Sequence, residues 1–196
     1  VGIVILFFFI TMYNIILNAY STYYIENRCV PWNEQTQTLK SGDVIIFSSR
    51  HYQSVLNKTL VGSVWTHIGL VMEENGQLYT MEAVQGDGTV KRPISSLNEY
   101  DGHVCIVPIN QRVPSCDVVY NDKNIPFITH IPLFMFYLER VLRTTFPYHW
   151  EKDCIRCSDY VARLLKAWNV LDDSVSASHV FPKDFAHTVR TKNGYH

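Results

Sequence analysis

Formal charge is missing from the first 25 residues of this 196-residue chain, where Glu26 is the first charged side chain. Charge is sparse beyond that point too, at 18% of residues, and 17 basic against 18 acidic groups leave a net −1. So balanced a chain lacks the electrostatic footprint of a nucleic-acid binder. Cysteine is too scarce for a disulfide-built fold, since five of them, an odd number, leave at least one thiol free. Cys154 and Cys157 form a CxxC, but there is no second CxxC and no histidine pair at finger spacing; His149, five residues before Cys154, is a poor ligand spacing. A thioredoxin-like site is excluded as well, because this CxxC follows a helical stretch near the C-terminus rather than an early strand. Internal repeats and low-complexity tracts are absent. What remains is a chain with 47% apolar residues, enough for one cored domain and too many for a disordered or collagen-like polymer.

The uncharged opening stretch is strongly apolar and is interrupted only by Gly2, Thr11, Asn14, Asn18, Ser21 and Thr22. As a helix, residues 1–25 would extend roughly 37 Å, longer than a hydrocarbon core of about 30 Å. Tyr20, Tyr23 and Tyr24, followed by Arg28, read as an interfacial belt. A cleaved signal peptide fits less well, lacking a basic leading region and a good small-x-small site; Ala19 is a poor candidate. The two asparagines also suit a buried or partner-binding helix. The expectation is a single-pass anchor over 1–25, with lipid membrane as its partner, then a polar linker over 26–40 and one domain over 41–196.

Within that domain, Ser41-Gly42-Asp43 marks a turn before the β-branched run Val44-Ile45-Ile46-Phe47. A short helix over 52–62 ends at Gly62, and Trp65 to Glu73 reads as a strand. Glu74-Asn75-Gly76 is a hairpin signal, returning through Leu78 to Ala83. Thr89-Val90 and Val104 to Ile109 complete a small antiparallel sheet. The pattern then turns helical: Leu133 to Arg143 carries an i, i+3/4 apolar stripe, and Ile155 to Trp168 places Val161, Leu164, Leu165 and Trp168 on one face. Phe181 to Phe185 begins a last helix. The fold class is α+β.

Chemistry concentrates on His67 and Cys157. A thiol at the start of a helix meets the positive end of the dipole and unpaired N–H groups, which favour a thiolate and supply oxyanion donors. An imidazole on a neighbouring strand is a suitable base, and it needs an acceptor to fix its tautomer. Glu82 lies across the hairpin from His67, with a midpoint of 74.5 that places the two nearly opposite one another. Read singly, each has a plainer role: a buried thiol, a satisfied strand histidine, a surface carboxylate.

Gly42-Asp43 before a strand, Thr66-His67-Ile68-Gly69-Leu70-Val71, Met81-Glu82-Ala83, and a C-terminal Cys157-Ser158-Asp159-Tyr160-Val161 helix together resemble the circularly permuted papain-like cysteine hydrolases of the NlpC superfamily. The likeness is to the YiiX-like group, which has poxvirus members and is related to lecithin:retinol acyltransferase-like enzymes. It runs from about Lys40 to about Phe185. The resemblance implies Cys157 as nucleophile, His67 as general base and then acid, and Glu82 as the orienting third member. It assigns Asp43 and Tyr148 to substrate binding, although Tyr148 is followed by His149 where the family commonly has Asp. It implies no cofactor and no metal, and an acyl, peptide or lipid substrate joined through an amide, ester or thioester. Cys154 reads as a packing residue, with redox pairing to Cys157 as the alternative. The rival reading is a structural membrane or virion protein that keeps the fold as a scaffold for protein partners.

Overall fold

The computed structural model describes residues 2–27, 29–84, 87–109, 156–177, 180–187, 190–191 and 194–195. The first helix, α1 (Gly2–Glu26), leads to a short helix α2 (Trp32–Gln35) with a 3₁₀ turn, Thr36–Thr38, directly behind it. There follow β1 (Val44–Ser49), α3 (Tyr52–Val61), β2 (His67–Glu74), β3 (Gln77–Val84), β4 (Gly88–Pro93), a 3₁₀ turn over Ile94–Glu99 and β5 (Gly102–Val107). The described C-terminal part holds α4 (Cys157–Ala167), α5 (Pro182–His187) and a two-residue pairing of β6 (Arg190–Thr191) with β7 (Gly194–Tyr195). The helix expected over Leu133 to Arg143 lies outside the described residues, as do Tyr148, His149 and Cys154.

β1 to β5 form one antiparallel sheet in the order β4-β3-β2-β1-β5. Val44 to Phe47 of β1 are fully buried because that strand lies inside the sheet with both faces covered. Alternation sorts its neighbours. Val44, Ile46, Ile68, Leu70, Met72, Met81 and Ala83 face α4, whose stripe is Tyr160, Val161, Leu164 and Leu165, with Trp168 just beyond. Ile45, Phe47, Val71 and Val104 face the opposite layer, built from Leu39 and Leu97 with Trp32 and Tyr100 packed around them.

The segment 26–40 packs closely. Gln35 is buried because its amide is used twice: Oε1 accepts from the Ile106 N–H at 2.6 Å, and Nε2 donates to the Val30 carbonyl. α1 lies against the domain along its C-terminal half. Ser21 and Ile25 are buried, the Tyr13 and Thr59 hydroxyls share a hydrogen bond of 2.9 Å, and Thr22 Oγ1 lies 3.1 Å from His103 Nε2. Its other side leaves Phe8, Phe9, Ile15, Ile16 and Tyr23 exposed. The helix expected over 1–25 is therefore present, but among the described residues no helix is long and apolar enough to cross a membrane.

Candidate active site

The β2–β3 hairpin turns on Asn75 and Gly76, both at positive φ, 53° and 76°, the conformation a two-residue type I′ turn requires. This turn centres the hairpin one residue later than the sequence suggests. Glu82 consequently pairs with Gly69 rather than standing nearly opposite His67. It shares a face with His67 and reaches it diagonally, His67 Nε2 donating to Glu82 Oε2 at 2.7 Å. Gly69 makes the diagonal open: a Cβ there would stand 2.9 Å from Glu82 Cγ and 3.3 Å from the Met81 carbonyl oxygen. The other carboxylate oxygen, Oε1, accepts from the Thr80 hydroxyl at 2.6 Å.

Phe47 is the partner of His67 on β1, with ring centroids 5.1 Å apart, and Tyr100 packs on Phe47 at the same separation. These rings restrict the imidazole, which keeps 22% of its side chain exposed while Glu82 keeps 5%. Burial of Tyr100 pushes its phenol up to about 12, against a hydrogen bond with Ser49 that favours ionisation, and the negative charges of Glu82, Asp101 and Cys157 raise it further.

Cys157 is the first residue of α4 and lies near enough to the His67 ring to raise its pKa. The helix start is pinned by Arg156, whose guanidinium makes two bonds to the Asp159 carboxylate, 3.0 Å from Nε and 2.5 Å from Nη2, both residues being buried. Burial by itself would lower the His67 pKa; negative charge and hydrogen bonds from Cys157 and then Glu82 outweigh it and push the imidazole up from 6.5 to about 10. Burial works against the charged Glu82 as well, yet the bonds from His67 and Thr80 and the nearby Arg92 charge bring its pKa below the usual carboxylate range. At neutral pH the imidazole is thus held as an imidazolium against the Glu82 carboxylate.

Asp43 does not join them. It lies four residues before Phe47 on the same chain segment, about 13 Å away along the strand. Its carboxylate is occupied by backbone, accepting from the Lys40 N–H at 2.8 Å and the Ile109 N–H at 3.1 Å. Its work is to fasten the turn before β1. Among the described residues no group of three or more His, Cys, Asp or Glu side chains is placed to hold a metal ion.

Neither a protein-family model nor a curated protein matches this chain. Solved structures do. The chain is similar to metalloprotein yiiX from Escherichia coli O157:H7, with TM-score 0.40 and 20% identity, covering 66% of each chain. It thus spans just under two thirds of that protein's length.

Sequence reasoning passed over Gly69 as a working part of the site, although a glycine inside a strand signals close approach of another group. Thr80 sits two residues before Glu82, hence on its face, which is a weak signal. Nothing in the sequence marks Tyr100, which reaches the site through the 3₁₀ turn after β4.

Proposed function

We propose that this protein is a cysteine hydrolase or acyltransferase of permuted papain-like type, with Cys157 as nucleophile, His67 as acid and base, and Glu82 as the group that orients His67. The observation that carries this reading is the Thr80–Glu82–His67 hydrogen-bonded relay standing beside Cys157 at the start of α4. Sequence order supports it, since histidine and acid precede the cysteine as in the resembling family.

In the proposed reaction the Cys157 thiolate attacks the carbonyl carbon of an amide, ester or thioester, forming a C–S bond. The negative charge that develops on the carbonyl oxygen is met by first-turn N–H groups of α4, which no helical carbonyl can satisfy. His67 gives its proton to the leaving group as the old bond breaks. It then removes a proton from water or an acceptor nucleophile, which attacks the acyl-enzyme and regenerates the thiolate. Glu82 holds the ring and stabilises its charged form throughout.

The exposed apolar side of α1 gives this reading its setting at a lipid surface, the domain lying against the opposite side of the helix. An electrophilic thiol probe tests the enzyme: wild type labels rapidly at Cys157 near neutral pH, and His67→Ala slows that labelling by roughly 100-fold. Slow labelling indifferent to His67→Ala, without turnover of ester or thioester substrates, would replace the enzyme with a scaffold of the same fold.

A further inference from the structure

A second buried cation stands apart from the triad. Lys58 of α3 is only 2% exposed, and among the described residues its hydrogen-bond partner is one neutral oxygen, Asn18 Oδ1 of α1, at 3.1 Å. No carboxylate pairs with it among those residues. Buried ammonium groups ordinarily have one, because desolvating a charge without a partner is costly. The surroundings add positive charge: Arg50 lies near enough to disfavour protonation of both Lys58 and His103. Glu26 is the opposing acidic influence on His103, and its side chain is exposed.

Lys58 lines a cavity of about 360 Å³ in the seam between α1 and the domain. Tyr13, Tyr20 and Tyr24 form one wall, Trp65 contributes an aromatic surface, and Lys183 brings a second ammonium group from α5. Lys183 donates to the Val61 carbonyl at 2.9 Å. The cavity therefore offers two cations from separate elements, phenolic hydroxyls, and apolar walls beside them.

We propose that this seam is a binding site for a phosphate group carrying an apolar substituent, with Lys58 as its buried counter-charge and Lys183 as its second cation. Phosphate oxygens can accept from both ammonium groups at once, and the substituent can lie along the tyrosines and Trp65. The site is distinct from the triad and stands whether or not the triad is active. Asn18, one of the few polar side chains of α1, is explained by it: its amide donates to Asn14 Oδ1 at 2.8 Å and its oxygen steadies Lys58. Burial lowers the Lys58 pKa to about 8, Arg50 adding to the effect, and a bound anion would reverse that shift.

Two sources share this chemistry: a phospholipid head group and a small soluble phosphate. The full chain is titrated with phosphatidylcholine vesicles, with the same vesicles containing phosphatidic acid, and with glycerol 3-phosphate followed by thermal unfolding. Two variants accompany it, Lys58→Gln, which removes the charge, and Asn18→Asp, which supplies an internal anion in place of the ligand. A head-group site gives wild type roughly tenfold tighter binding to the phosphatidic acid vesicles than to phosphatidylcholine alone, and both variants lose that preference. A site for free phosphate instead raises the wild-type melting temperature with glycerol 3-phosphate, and neither variant responds. Asn18→Asp without ligand melts higher than wild type, which separates loss of binding from loss of folding. Phosphate binding that is equal in wild type and both variants, or absent from wild type with both probes, overturns the proposal.

Discussion

His67 and Lys58 are two buried bases in one small domain, and their surroundings drive them in opposite directions. Both lose solvation, which disfavours the charged form. At His67 the interactions with Cys157 and Glu82 more than compensate, so the ring holds its proton up to about pH 10. At Lys58 a neutral amide and a nearby arginine do not, and the ammonium falls to about 8. Burial alone therefore does not set a protonation state; the sign of the neighbours decides it. One site is internally complete in charge, and the other is left positive.

The comparison breaks most visibly at the thiol. Cys157→Ala is expected to reduce hydrolysis of a thioester substrate to background, a loss of at least roughly 1,000-fold, measured as initial rates against wild type. His67→Ala follows at about 100- to 10,000-fold, and an unchanged rate in this variant would remove the imidazole from the mechanism. Gly69→Ala tests the diagonal reach of Glu82, because the added methyl must displace that carboxylate from His67. A loss of roughly tenfold in rate is expected, with about 1–3 kcal/mol of stability from overpacking.

Stability against pH sharpens the contrast, since the two groups carry opposite signs. His67 has a folded pKa above its unfolded value, so its contribution is complete below pH 6.5 and is lost as pH climbs through about 10. Lys58 has a folded pKa below its unfolded value, so its penalty is full below about 8 and disappears by 10.5. At pH 7 Glu82→Gln is expected to melt a few degrees below wild type and Lys58→Gln a few degrees above. Both gaps narrow towards pH 10.5 in thermal melts. A shift of both variants in the same direction would end the comparison. The smallest effect belongs to Thr80→Val, which removes one hydrogen bond to Glu82 and should lower the rate about two- to threefold while costing about 1 kcal/mol in chemical denaturation.

The sheet was legible because its strands are β-branched runs separated by strong turn signals. Cys157, His67 and Glu82 stand out in the sequence through their order and the family resemblance, since each alone reads as well as a buried thiol, a satisfied strand histidine or a surface carboxylate; what the structure adds is the His67–Glu82 bond. Register was harder: placing the turn one residue early moved Glu82 from a diagonal to a nearly direct neighbour of His67, and only the positive φ of both Asn75 and Gly76 fixes the pairing. Asp43 was misread for a different reason. A carboxylate beside a turn looks the same in sequence whether it faces substrate or two backbone N–H groups, and here both oxygens are committed to backbone. Likewise Gln35 belongs to a polar stretch that reads as linker, and its burial depends on the Ile106 N–H, 71 residues away. The asparagines of α1 gave the better clue, four residues apart and so on one face of the helix, the face that meets the domain.

The attachment of α1 also has a mechanical meaning. Buried Ser21 and Ile25, the Thr22 contact with His103 on β5, and the thiol contact between Cys29 and Cys105 hold the helix at several points along the edge of the sheet. A helix held at these points is tied to the sheet edge along its C-terminal half. Whatever angle its free apolar side adopts on a surface, the sheet inherits that bearing, and the orientation of His67 and Cys157 is set by the same rotation.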